Sequence, residues 1–299
     1  MSSALGIDVG GTKIRGGLVD QDGSVSNVKE FPTEAARGGS HVVSQIITLI
    51  HQFNTKEVMG IGIGAAGQVG LGGEILSSTE TFPGWAGTDL EQALHKATGL
   101  PVRVVNDVQA MAIGELHYGF GKGIANFVCV ALGTGVGGAM VTDGQLYRGA
   151  SGCAGEVGHM ILKAGGRHCP CGNQGCLEAY VSGEALGKRY EELVGHTVTA
   201  YDFFNDLKNL GQPASLLLAQ YLEDLVYGIS SIANIMNPQR IILGGGLAKE
   251  LVAYANVLDT LLKRYLQSAA YEALEIAFSS LGGHAMIMGA GSLLTKGGF

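Results

Sequence analysis

Apolar residues alternate with glycine and polar residues over 5–9, 14–19 and 25–32, the period of two expected of strands, with Asp22-Gly23 as a hairpin turn between the last two. The pattern predicts a three-stranded meander. Val42, Val43, Ile46, Ile47, Ile50 and Phe53 then recur at helical spacing, which turns one face of that segment toward a sheet. Residues 58–65 read as a buried strand, 90–98 as a short helix, 102–105 as a strand and 108–118 as a helix. A second meander opens at 127–132, bends through Gly133-Thr134-Gly135, returns over 137–141 and turns at Asp143-Gly144. Residues 178–194 and 213–236 read as helices, the latter stopped by Asn237-Pro238. A short strand at 240–243 leads into Gly244-Gly245-Gly246 and a further helix.

Strands alternating with helices predict an α/β protein. Ile-Asp-Val-Gly-Gly-Thr-Lys and Ala-Leu-Gly-Thr-Gly-Val-Gly-Gly, each followed by an Asp-Gly, look like copies of one unit. A duplicated fold with a cleft between its halves follows. The expected division is a small α/β domain over 1–117, joined by a carboxy-terminal helix at about 285–299, and a large α/β domain over 118–284.

Composition narrows the function. Charged residues are 15% of the chain, the net charge is −7, and lysine and arginine form no block. That balance argues against nucleic acid or an anionic membrane as the main partner. The first residues lack a basic and apolar leader pattern, and the apolar stretch at 216–236 is broken by Glu223 and Asp224, so a soluble cytoplasmic protein is expected. The 49 glycines predict many tight turns.

Three of the five cysteines, Cys169, Cys171 and Cys176, stand within eight residues, and His159 precedes them by ten. The set suits tetrahedral zinc, with His168 as the rival fourth ligand. Cys169 and Cys171 are too close for an easy disulfide. Cys129 and Cys153 read as packed thiols. Glu156 and Glu178 bracket the cluster, so a metal that folds this loop would also gather two carboxylates.

Gly10-Gly11-Thr12-Lys13 and Gly133-Thr134-Gly135 each offer backbone N–H donors and a hydroxyl, and the first adds a cation. Taken singly, each reads as a tight turn; their recurrence in matching halves favours a pair of bends for the β and γ phosphates of a nucleotide. Asp8 is then placed to position magnesium through water. Gly244 and Gly245 read either as a plain strand-to-helix turn or as bare backbone on which an adenosine could lie. Asn106-Asp107 is by itself a good helix cap. In company with the phosphate-type turns and two glutamates, Asp107 becomes a candidate general base for a substrate hydroxyl.

Together, Asp8-Val-Gly-Gly-Thr-Lys13, Asn106-Asp107, Gly133-Thr-Gly-Val-Gly-Gly138, Glu156-Val-Gly-His159, Cys169-Pro-Cys-Gly-Asn-Gln-Gly-Cys176 and Gly244-Gly-Gly246 resemble the ROK family of sugar kinases over essentially the whole chain. The resemblance implies an actin-like, ribonuclease-H-like ATPase fold with ATP in the cleft and a hexose beside it. Asp107 resembles the family's catalytic base. Asn106, Glu156, His159 and Glu178 resemble the groups that hold the sugar, with Gly67 in a loop bordering them. His159 would serve twice, one ring nitrogen on zinc and the other toward the sugar. Two places depart from the family's usual pattern: Gly64-Ala65-Ala66-Gly67-Gln68-Val69 lacks a proline and a following acid, and Thr81 stands where asparagine is frequent before Pro83-Gly84-Trp85. Both bear on which sugar is taken. The expected activity is ATP-dependent phosphorylation of a hexose 6-hydroxyl, with glucokinase first and an N-acetylhexosamine kinase as its alternative. A sugar-sensing regulator is the non-enzyme alternative; the family's regulators carry an amino-terminal helix-turn-helix, and with the first strand starting by residue 5 none is expected here. The resemblance also suggests a homodimer.

Overall fold

The computed structural model describes residues 3–79, 82–209 and 212–297, so Thr81 lies outside the described residues. Strands β1 (Ser3–Val9), β2 (Lys13–Val19) and β3 (Val25–Pro32) form the first meander. Helix α1 (Gly39–Ile50) follows and buries Val42, Ile46, Leu49 and Ile50. Strand β4 (Val58–Ala65), a small ribbon of β5 (Gln68–Val69) and β6 (Ile75–Ser77), helix α2 (Leu90–Thr98), strand β7 (Val102–Asn106) and helix α3 (Asp107–Tyr118) come next. The second meander is β8 (Phe127–Leu132), β9 (Val136–Thr142) and β10 (Gln145–Tyr147). Helices α4 (Glu178–Val181), α5 (Gly183–Val194), α6 (Ala200–Lys208) and α7 (Gln212–Met236) precede β11 (Arg240–Gly244). Helices α8 (Gly246–Leu251), α9 (Ala255–Tyr265) and α10 (Ser268–Ala273), strand β12 (Glu275–Phe278) and helix α11 (Ala285–Ser292) complete the chain.

The two large sheets repeat one plan. The first has the order β3-β2-β1-β4-β7 and the second β10-β9-β8-β11-β12. In each, a meander is extended by two strands parallel to its first member. The duplication expected from the two glycine-rich motifs is therefore visible in the strand order. In both sheets the first glycine turn, after β1 or β8, lies at the edge where the parallel strands end. The Asp-Gly hairpins lie at the opposite edge.

The chain divides into two compact units, one of Met1–Asn126, Ala139–Gly155 and Ser280–Phe299, the other of Phe127–Gly138 and Glu156–Ser279. In the first unit β1 and β4 are covered on both faces, and the apolar runs over residues 4–7 and 60–65 are buried, as parallel strands require. Helix α11 sits so close to them that a Cβ on Gly62 would lie 1.8 Å from the Ala290 carbonyl oxygen. Only glycine permits that approach. The core beneath α1 includes Ile7, Ile61, Ile63 and fully buried Trp85, whose indole N–H donates to the Ala66 carbonyl at 2.9 Å. Residues 139–155 belong to this unit because the Gln109 amide donates to Gly152 O at 2.8 Å and Arg148 Nη2 to Gly70 O at 2.8 Å.

The helix expected over 178–194 is two helices. Ser182 leaves the helical region at ψ 162° and its hydroxyl accepts from Ala185 N, capping α5, while Tyr221 donates to the Val181 carbonyl that closes α4. The 25-residue α7 buries Asp224, and among the described residues no helix is long and apolar enough to cross a membrane.

Candidate functional site

In the first unit the parallel register brings the expected residues to one sheet edge. Asp8 pairs with Gly64 on β4, and Ala65 pairs with Asn106 at the end of β7. Asn106 Oδ1 accepts from Val108 N at 2.9 Å and Gln109 N at 3.3 Å, completing a capping box with Gln109 at the start of α3. Its Nδ2 donates to Gly67 O at 3.0 Å. Asn106 therefore caps α3, and the Asn106-Asp107 pair stands at the carboxyl edge of the parallel strands, where ligands of α/β sheets are commonly met. Asp107 is the first residue of α3 and lies close enough to Asp8 for the two charges to interact. Burial first, and then the negative charge of Asp107, push the Asp8 carboxyl up to about 7, while Arg15 opposes the shift. The Asp8 carboxylate, once ionised, is a hard oxygen donor of the kind that magnesium takes directly or through water.

The turn after β1 is closed by Gly10 N donating to Lys13 O at 3.0 Å. Gly11, Thr12 and Lys13 are exposed, and Lys13 Nζ is paired with Glu30 at 2.6 Å. Thr33 was not foreseen as part of this turn. It is fully buried, its hydroxyl donates to Gly10 O at 2.7 Å, and its N–H donates to Thr12 O at 2.9 Å. The only signal in the sequence was a polar residue directly behind the apolar strand.

In the second unit Gly133-Thr134-Gly135 forms the matching turn. Glu178 Oε2 accepts from Val136 N at 2.8 Å, and a Cβ on Gly135 would lie 2.5 Å from the same oxygen. Glycine leaves the carboxylate room against the turn, and a Cβ there would push the end of the Glu178 side chain aside. Gly244 pairs with Ala131 at the end of β8, and Gly245 and Gly246 are exposed beside it, so the third glycine run joins the second.

One ring nitrogen of His159 and the sulfurs of Cys169, Cys171 and Cys176 lie within 4.8 Å of one another. His168 is outside that group. Cys171 Sγ and Cys176 Sγ are 3.7 Å apart, and Cys169 Sγ is 3.8 Å from His159 Nδ1. Zinc–sulfur bonds of about 2.3 Å at the tetrahedral angle give edges of about 3.8 Å, so the donors fit zinc. The other ring nitrogen of His159, Nε2, is 3.8 Å from Glu156 Oε2. Burial pushes the Cys169 and Cys176 thiols up; at exposed Cys171 burial is outweighed by the Asn173 N–H and the neighbouring thiols, and the thiol falls below its usual range. The loop also has its own backbone framework, with Cys169 N donating to Asn173 O at 2.9 Å and Leu177 N to Met160 O at 2.9 Å.

A profile of the ROK family matches residues 4–296. The glucokinase of Thermotoga maritima is 30% identical over 307 residues, covering 98% of this chain and 97% of its own. The N-acetylmannosamine kinase of Vibrio vulnificus is 32% identical over 246 residues, covering 81% of this chain and 82% of its own. The crystal structure of a ROK family glucokinase from Streptomyces griseus, in complex with glucose and AMPPNP, is similar with a TM-score of 0.86 at 28% identity, over 99% of this chain and 100% of that one.

Proposed function

This chain belongs to the ROK family and has its duplicated, actin-like α/β fold, and from that premise we propose that it transfers the γ-phosphoryl group of ATP to the 6-hydroxyl of a hexose, D-glucose above others. The observation that carries the reading is Asp107 at the carboxyl edge of the parallel strands, beside Asp8 and behind the capping amide of Asn106.

In this reading Asp107 accepts the proton of the 6-hydroxyl as its oxygen bonds to the γ phosphorus, and the bond from phosphorus to the β–γ bridging oxygen breaks to release ADP. Gly10 and Gly133 shape the two turns, their N–H groups bonded to Lys13 O and Gly135 O at 3.0 Å, while the N–H groups of Gly11 and Gly135 and the hydroxyls of Thr12 and Thr134 hold phosphate oxygens, Lys13 adds a charge once drawn from Glu30, and Gly244 and Gly245 receive the adenosine. Asn106, Glu156, His159 and Glu178, with the Gly67 backbone, hold the sugar and orient its hydroxyl. Asp8, with Asp107 near it, would hold magnesium, which when bound supplies positive charge to the phosphates. His159 and Cys169, Cys171 and Cys176 would hold a structural zinc, which supplies a fixed loop rather than a reacting group. With Nδ1 so engaged, Nε2 of His159 is the nitrogen left for a sugar hydroxyl.

An ADP-release assay over a panel of hexoses and N-acetylhexosamines tests the proposal. Glucose should give the highest kcat/KM. A preference for N-acetylmannosamine or N-acetylglucosamine would select the second reading, which the Vibrio vulnificus relative favours. Sugar binding without turnover on any member of the panel would leave the regulator.

A further inference from the structure

We infer that Asp224, far from these residues in sequence, is a positioning residue for the sugar-binding groups of the second unit, acting through Lys163 and Arg189; the inference rests on the proposed roles of His159 and Glu178. Asp224 lies on the largely apolar α7 with its side chain only 3% exposed, and both of its oxygens are taken. Oδ1 meets Lys163 Nζ at 2.6 Å, and Oδ2 accepts from Arg189 Nη1 at 3.0 Å. A carboxylate in an apolar helix is costly and is a weak source of stability even when paired, so its use is better sought in the geometry it enforces.

Its two partners lead to the two segments that carry the sugar-binding groups. Lys163 lies between His159 and Cys169, and its backbone ties the two sides of the cysteine loop together, Lys163 N donating to Gly175 O at 3.1 Å and Gly166 N to Lys163 O at 2.9 Å. The nitrogen of Arg189 that meets Asp224 also donates to Tyr180 O at 2.8 Å, two residues beyond Glu178. Tyr180 closes the circuit: its ring lies 4.6 Å from Lys163 Nζ, and its hydroxyl accepts from Arg167 N at 2.9 Å, two residues before Cys169. A single buried carboxylate thus sets the cysteine loop and α4 against each other, independently of the thiols.

Lys163→Met is the test, because it keeps the aliphatic stem, removes the loop's link to Asp224 and leaves Asp224 its partner Arg189. Hydrogen exchange of the full-length protein as purified should quicken in residues 160–177 and also in 178–181, by about tenfold or more. The KM for the preferred sugar should rise about tenfold, the scale of losing an outer partner of a site, while kcat and the KM for ATP stay within about twofold. Lys163→Arg should restore part of both. Unchanged exchange in 178–181 would overturn the inference, as would Ile232→Val on the same helix producing the same two changes at an equal loss of Tm. If no sugar in the panel is phosphorylated, the proposed function fails, and the exchange result alone decides the role of Asp224.

Discussion

Asn106 divides one amide between two tasks, the cap of α3 through its oxygen and the Gly67 loop through its nitrogen, and so fixes Asp107 on one side and that loop on the other. Asp107→Ala leaves that amide intact. Sugar affinity, measured by fluorescence or calorimetric titration, should be largely retained while kcat falls by at least about 10²-fold, the low end for a positioned base. Near-normal turnover would remove Asp107 from the role. Asp8 carries a different consequence. Its carboxyl is raised in the fold from 3.8 to about 7, so the stability that its neutral form contributes is complete below 3.8 and is lost as pH rises through about 7. Asn imitates the neutral form. Without nucleotide or metal, Asp8→Asn should gain Tm over the parent as pH rises from 4 to 7 and hold that gain above it, while losing activity with magnesium-ATP. A pH-independent difference in Tm would refute this account of Asp8.

At the scale of elements, the cysteine loop is a short ladder of backbone hydrogen bonds that converges on four donor atoms. Cys171→Ser should lower bound zinc, measured by metal analysis of purified protein, to less than half an equivalent and raise the sugar KM about tenfold. Unchanged zinc and kinetics would separate the loop from the sugar site. Gly135→Ala tests the neighbouring turn, since its methyl would crowd the Glu178 carboxylate at 2.5 Å. A rise in the sugar KM of about tenfold or more is expected, with Tm nearly unchanged. Much of this was readable in the chain, because ligand spacing is local: Cys169 and Cys176 are close in sequence before they are close in space. The role of Asp224 was not. Its partners lie 61 and 35 residues away, and in sequence it was only a polar break in an apolar helix. The division of 178–194 at Ser182 escaped for the same reason, since the hydroxyl that closes α4 comes from Tyr221.

For the molecule as a whole, the sheets followed from periodicity where both faces of a strand are buried, as in β4 and β8, whose bounds match the apolar runs. The duplication was readable because each copy keeps its glycine bend and its Asp-Gly hairpin. Helix α6 and strand β12 were missed. The first announces itself only by Thr199 and Asp202 capping each other, and the second is four residues long and stabilised by pairing with β11. If the proposed ligands bind the folded chain, glucose and a magnesium-bound ATP analogue should each raise Tm, by an amount that grows with the logarithm of concentration.

The shared plan of the two sheets also separates the places that must not change from those that can. Asp143-Gly144 is an exposed hairpin tip on the edge away from every residue proposed for chemistry in its sheet, and chain inserted between the two leaves both turn residues in place. A reporter peptide or small fluorescent domain spliced in there would ride on the enzyme without entering its working edge, giving a labelled protein whose turnover matches the parent's.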